Sequence, residues 1–76
     1  MAKGQVDLVI AGGDVLRRQG KLDEAEALYQ LLLEREPETG RAHAGLGWVM
    51  RVRGDLAAAQ GHFDAAVQAE PQNSWY

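Results

Sequence analysis

A spacing of 34 residues organises this sequence, because the chain largely repeats itself at that distance. Similar residues recur at this spacing throughout, as with Tyr29 and Phe63. Identical residues recur in eight places: Gly13 and Gly47, Val15 and Val49, Arg17 and Arg51, Gly20 and Gly54, Leu22 and Leu56, Ala25 and Ala59, Glu36 and Glu70, Pro37 and Pro71. A fixed period of this length is typical of proteins built by stacking one small structural unit.

Within each unit, the apolar residues follow the spacing of two amphipathic helices. Gly20 and Gly54 are placed where the chain must turn, since glycine enters the left-handed region at little cost. Pro37 and Pro71 end each second helix, because proline cannot continue one. We therefore predict helices over about residues 5–19, 22–35, 40–53 and 56–69.

Small and large residues alternate where the two helices of a unit must meet. Gly13 and Ala25 allow the two backbones to approach closely, and Tyr29 fills the space beyond them. Asp55 precedes the last helix and is expected to cap it. No strand pattern competes with the helical periodicity.

With these residues, the chain resembles the tetratricopeptide repeat family over roughly residues 6–73. It departs from the family pattern at Val9 and His43, where a tryptophan is usual, and at Gly12, where a leucine is usual. The motif positions that match are Gly13, Leu16, Gly20, Ala25, Tyr29 and Pro37, then Gly47, Met50, Gly54, Ala59, Phe63 and Pro71.

The resemblance implies an all-α fold, in which two tandem helical hairpins form a short right-handed α-solenoid. Residues 6–39 are the first repeat and residues 40–73 the second. Residues 1–5 are a lead, and residues 74–76 are the start of an incomplete further helix or a tail.

Residue patterns that would support catalysis are missing, so we expect a protein that is not an enzyme and binds no metal or cofactor. His43 is interpreted as a packing histidine and His62 as a surface or edge residue. The glycines near residues 12–13 and 45–47 are interpreted as packing residues and not as a phosphate loop, because no Gly-Lys-Ser/Thr follows them. The acidic residues 23–26 are interpreted as a solvated first helical turn.

Composition limits the partners that we expect. The net charge of −3 gives no basic excess for nucleic acid, and no apolar run is long enough for a membrane span. No apolar signal segment follows Lys3, which favours a cytoplasmic protein. The chain has no cysteine, and a domain of 76 residues is only marginally stable alone, which favours association with a protein partner or in a homodimer.

The resemblance further implies a concave groove lined by the first helix of each repeat, where a partner peptide or helix binds. A tryptophan between arginines there is typical of an interface hot spot. In the alternative interpretation, Trp48 packs between the hairpins and Asp14 pairs with a nearby arginine on its own helix. The groove residues are Asp7, Ile10, Asp14, Arg17, Arg18, Arg41, Ala44, Trp48, Arg51 and Val52, with Ala11 and Gly45 beside them.

The sequence also bears on two other functions, the binding of chaperone tails and self-association. Ile10, Asp14 and Gly45 replace the polar residues with which related domains hold the acidic tails of heat-shock chaperones, so that activity is not expected. Self-association is the second function, because the last helix has no following repeat to cover it. The expected edge residues are Phe63, Ala66, Val67, Trp75 and Tyr76.

Overall fold

The computed structural model describes residues 3–69, and they form four helices. These are α1 (Lys3–Arg18), α2 (Leu22–Arg35), α3 (Gly40–Arg53) and α4 (Leu56–Ala69). The all-α prediction is confirmed, and the bounds of α2, α3 and α4 agree with the sequence periodicity to the residue. The first helix was predicted over about residues 5–19, but it begins at Lys3 and ends at Arg18, so it takes in part of the lead that we had assigned to residues 1–5. Pro71, Trp75 and Tyr76 lie outside the described residues.

Both hairpins turn through a glycine with positive φ, at +81° for Gly20 and +88° for Gly54. The backbone N–H after each glycine donates to a carbonyl five residues earlier, from Lys21 to Leu16 and from Asp55 to Met50, both at 2.9 Å. Among the described residues, nothing lies within 4 Å of a Cβ built at either glycine, so the backbone angle and not the available space requires glycine here.

The starts of α3 and α4 differ in their capping. Asp55 Oδ1 accepts a hydrogen bond of 3.1 Å from the backbone N–H of Ala58, which confirms the predicted cap. Thr39 precedes α3, but its hydroxyl donates to the Glu36 carbonyl at 2.8 Å and makes no cap bond. The Thr39 hydroxyl therefore stabilises the turn between the two hairpins and does not cap α3.

The two hairpins share one core. Helix α3 packs against α1, α2 and α4, whereas α4 packs against α3 alone among the described helices. The buried cluster draws on the first three helices and consists of Ile10, Ala25, Tyr29, Leu32, Ala42, Leu46 and Val49. None of the described helices is long and apolar enough to span a membrane.

The ring of Tyr29 lies between two glycines from neighbouring repeats. A Cβ built at Gly13 would lie 2.7 Å from Tyr29 Cε1, and one at Gly45 would lie 2.4 Å from Tyr29 Cζ. The expected close approach at Gly13 is thus present. Gly45, which we had placed beside the groove, supplies the matching contact from the second repeat. In the second hairpin, Phe63 lies against Gly47 in the same way, with Cε1 2.9 Å from a Cβ built there.

Candidate functional site: a groove between the first helices of the two repeats

A pocket of about 330 Å³ opens between α1 and α3. The two helices are the first helices of the two hairpins, as the predicted groove requires. Seven of the ten predicted groove residues lie around this pocket. The residues that line it are Ile10, Asp14, Arg17, Arg18, Arg41, Ala44, Gly45 and Trp48.

Three predicted groove residues lie outside the pocket wall. Asp7 sits beside it and forms an ion pair with Arg41, with 2.8 Å between Oδ1 and Nη1. Arg51 stands at the rim, over the ring of Trp48. Val52 is 64% exposed and does not line the pocket, so it contributes nothing to this site.

The floor of the pocket is apolar. Ile10 is 2% exposed and Ala44 is 8% exposed, so both are largely covered by the protein itself. We had expected them on an accessible stripe, but Ile10 belongs to the buried core, and only a small part of it faces the pocket. A side chain that enters the pocket therefore meets hydrocarbon at the bottom and charge at the walls.

Asp14 is held from the core side of the pocket. The Tyr29 hydroxyl donates to Asp14 Oδ1 at 2.5 Å, although the two residues come from different helices. Burial, and then the hydrogen bond to Asp14, raise the pKa of Tyr29 to about 12, and the nearby Arg17 opposes this rise. Tyr29 therefore stays a hydrogen-bond donor throughout the physiological pH range, and it fixes the Asp14 carboxylate.

Arg17 has unused hydrogen-bonding capacity at the pocket. Its Nη2 lies 3.9 Å from Asp14 Oδ1, which is a weak ion pair within one helix. Its Nε is buried and donates to no acceptor among the described residues. Leaving this donor unpaired costs free energy, and because Nε is covered by the protein itself, it is not a contact point for a ligand.

The alternative interpretation placed Trp48 between the two hairpins, but its ring packs against Phe63 of its own hairpin and has Arg17 of the first hairpin near it. One edge packs against Phe63, with ring centroids 5.7 Å apart and an interplanar angle of 85°. The Cζ atoms of Arg51 and Arg17 lie 5.1 and 6.0 Å from the Trp48 ring centroid. The residue is still 38% exposed, so it anchors the groove wall and offers an accessible surface.

The two histidines form a pair that the sequence reading missed. The rings of His43 and His62 stack with centroids 6.3 Å apart, and His43 Nε2 lies 3.1 Å from the Pro37 carbonyl. Burial, and then the proximity of His43, lower the pKa of His62, while Glu26 opposes the shift. His62 is therefore only partly a surface residue. The described part of the chain holds no cluster of three or more His, Cys, Asp or Glu that could bind a metal.

The acidic first turn of α2 is engaged as well as solvated. Arg53 Nη1 donates to Glu26 Oε1 at 2.5 Å, and Arg53 Nη2 pairs with Asp23. Asp23 is nevertheless 97% exposed, as expected for a solvated turn. Arg53 thus ties the end of α3 to the start of α2 on the side away from the groove.

The residues of the expected self-association edge differ in their burial. Ala66 is fully buried, and Phe63 is partly buried against Gly47 and Trp48 of α3, so neither forms a fully exposed edge. Their side chains face α3 because, among the described helices, it is the one against which α4 packs. Val67, at 40% exposed, is the edge residue that remains within the described part of the chain, and Leu56 joins it at 66%.

Comparison with known proteins decides the family. Residues 10–74, most of the chain, match the sequence pattern described as tetratricopeptide repeat. The chain belongs to the tetratricopeptide repeat family. Proteins with these repeats are generally protein–protein interaction modules, as the resemblance in sequence implied.

A curated human protein is also similar. The chain is 25% identical over 67 residues to protein O-mannosyl-transferase TMTC1 from Homo sapiens. The match covers 88% of this chain but only 8% of that protein, so it relates a short segment of the transferase to this tetratricopeptide repeat chain. No solved structure matches the chain.

Proposed function

We propose that this tetratricopeptide repeat chain binds an extended peptide segment that carries a carboxylate next to an apolar side chain. The segment lies in the pocket between α1 and α3. Its apolar side chain contacts Ala44 and the exposed part of Trp48, and its carboxylate meets Arg17 and Arg18. The observation that carries the proposal is the partly exposed Trp48 flanked by Arg17 and Arg51 at the wall of this pocket.

The charge of the pocket supports an acidic ligand. The chain as a whole has a net charge of −3, yet three arginines and one aspartate line the pocket. The aspartate, Asp14, already accepts a hydrogen bond from Tyr29, and Asp7 offsets part of the charge of Arg41. Arg18 makes no side-chain bond among the described contacts, so its guanidinium is available for a bidentate carboxylate pair.

Selection from a phage-displayed library of short random peptides tests the proposal. Peptides selected on the wild-type chain should share an acidic residue close to a large apolar one. Arg18→Ala should weaken a selected peptide several-fold, since an exposed pair contributes up to about 1 kcal/mol. The matched control is Arg35→Ala, which removes an exposed arginine from α2, outside the pocket, and should leave the affinity unchanged. Equal loss in both variants, or selected peptides without acidic residues, would contradict this proposal.

Self-association through the carboxy-terminal edge is the second candidate. The observation in its favour is that Leu56 and Val67 are exposed on α4, a helix that packs against α3 alone among the described helices. A cytoplasmic location, and the absence of nucleic-acid and membrane partners, remain predictions from the sequence. Sedimentation at increasing protein concentration tests the second candidate, because only an associating chain gains mass.

A further inference from the structure

Because the sequence repeats every 34 residues, each residue of the second hairpin can be compared with its equivalent in the first hairpin. Ala42 and Val49 of α3 are fully buried in the cluster where the second hairpin packs on the first. The residues 34 positions earlier are Leu8 and Val15 of α1, and they are 73% and 49% exposed. We name Leu8, Ala11 and Val15 the amino-terminal face. It presents apolar side chains at positions that the second repeat buries against a neighbouring hairpin.

The opposite end of the molecule shows the complementary pattern. Leu22 and Leu33 of α2 are partly buried and pack against the core that the two hairpins share. Their equivalents in α4 are Leu56 and Val67, which are 66% and 40% exposed. We name these two residues the carboxy-terminal face. One end of the chain thus has the docking surface of a second repeat, and the other end has the surface on which such a repeat docks.

We infer that the amino-terminal face of one copy of this chain binds the carboxy-terminal face of a second copy, head to tail. The inference rests on the second candidate function and adds the surface that the exposed edge contacts. The contact would repeat the one between the two hairpins of a single chain. Since a head-to-tail contact of this kind does not close on itself, it extends into open assemblies.

Charge supports this register. Within the chain, Asp7 pairs with Arg41, and Arg17 lies over Trp48. Moving each contact by one repeat places Asp7 of the second copy beside Arg41 of the first, and Asp14 of the second copy beside Arg51 of the first. Both juxtapositions bring opposite charges together, which favours the register.

The remaining charged contact between the hairpins becomes neutral in the same register. Arg53, which contacts Asp23 and Glu26 within the chain, corresponds to Gln19 of the second copy. The two acidic residues correspond to Ala57 and Gln60 of the first copy, so these positions bring neither like nor unlike charges together. Ala11 carries a Cβ where Gly45 has none, which holds the two copies further apart than the two hairpins and makes the contact weaker than the internal one.

A mixing experiment with the full chain tests this inference. Leu8→Glu blocks the amino-terminal face and Val67→Glu blocks the carboxy-terminal face, and both side chains are exposed, so helicity and thermal stability should be unchanged. Leu31→Glu is the matched control. It introduces the same charge at a leucine of α2 that is 44% exposed and belongs to neither face. Each preparation is sedimented from micromolar to millimolar concentration.

Wild type and Leu31→Glu should form assemblies that grow with concentration, while Leu8→Glu and Val67→Glu alone stay monomeric. An equimolar mixture of these two variants should form a dimer and nothing larger, because it contains one intact copy of each face. Val15→Glu should replace Leu8→Glu in the mixture with the same result. If Leu8→Glu alone still associates, the amino-terminal face is not the partner surface, although the second candidate function stands. If every preparation is monomeric, the head-to-tail contact and the second candidate function are both wrong.

Discussion

Arg41 and Asp7 occupy the same position of successive repeats, and their side chains form an ion pair of 2.8 Å across the top of the groove. Both side chains are nearly half exposed, at 43% and 48%, so water and salt screen the pair. We expect a double-mutant cycle with Asp7→Asn and Arg41→Gln to give a coupling energy below about 1 kcal/mol, reduced further by added salt. Urea unfolding measures it, and a large, salt-independent coupling would mean that the pair is desolvated.

Glycines that contact the Tyr29 ring should resist substitution more than glycines that contact nothing. Gly45→Ala places a methyl group where Tyr29 Cζ would be 2.4 Å away, and we expect it to cost about 1–3 kcal/mol of unfolding free energy. Gly61→Ala is the control, because no described residue lies within 4 Å of a Cβ built there and Gly61 is exposed within α4. It should stabilise the chain by up to about 1 kcal/mol, since alanine favours helix.

Thermal or urea unfolding measures how Gly45→Ala and Gly61→Ala change the free energy of unfolding. Opposite signs for the two substitutions support the close packing of Tyr29 between the repeats. A neutral Gly45→Ala would show that the ring can move aside, and the contact between the hairpins would then be looser than described.

The histidine pair should make stability depend on pH. Since the folded state lowers the pKa of His62, the unfolded chain binds a proton more readily near its ordinary pKa of about 6.5. The free energy of unfolding should therefore fall as the pH decreases from neutral through that value towards the folded pKa. His62→Gln should reduce this slope, measured by urea unfolding at a series of pH values above the carboxylate range. An unchanged slope would assign the pH dependence to other groups.

The sequence predicted the helices because its strongest signals are local. The positive-φ glycines at Gly20 and Gly54 and the 3.6-residue periodicity depend only on neighbours in the chain. The resemblance to the tetratricopeptide repeat family also predicted most of the residues around the pocket, because it placed a groove along the first helix of each repeat.

Contacts between helices were harder to predict from the sequence. The hydrogen bond from Tyr29 to Asp14 and the contact of Tyr29 with Gly45 depend on how far two helices approach each other, which periodicity does not specify. The orientation of Phe63 and Ala66 towards α3 was mispredicted for the same reason. We had expected both residues on an outer edge, but the side-chain direction follows from the helix against which α4 packs.

Chemical-shift mapping by nuclear magnetic resonance tests peptide binding in the groove most directly. The probe is a selected peptide that carries one glutamate and one leucine, titrated into the labelled wild-type chain. We expect the largest shifts at the side-chain indole of Trp48 and at the backbone amides of Arg17, Arg18 and Ala44. In Arg18→Ala the same residues should shift only at a higher peptide concentration. In Arg35→Ala they should shift at the same peptide concentration as in the wild-type chain. Shifts confined to α2 or α4, with Trp48 unmoved, would contradict peptide binding between α1 and α3.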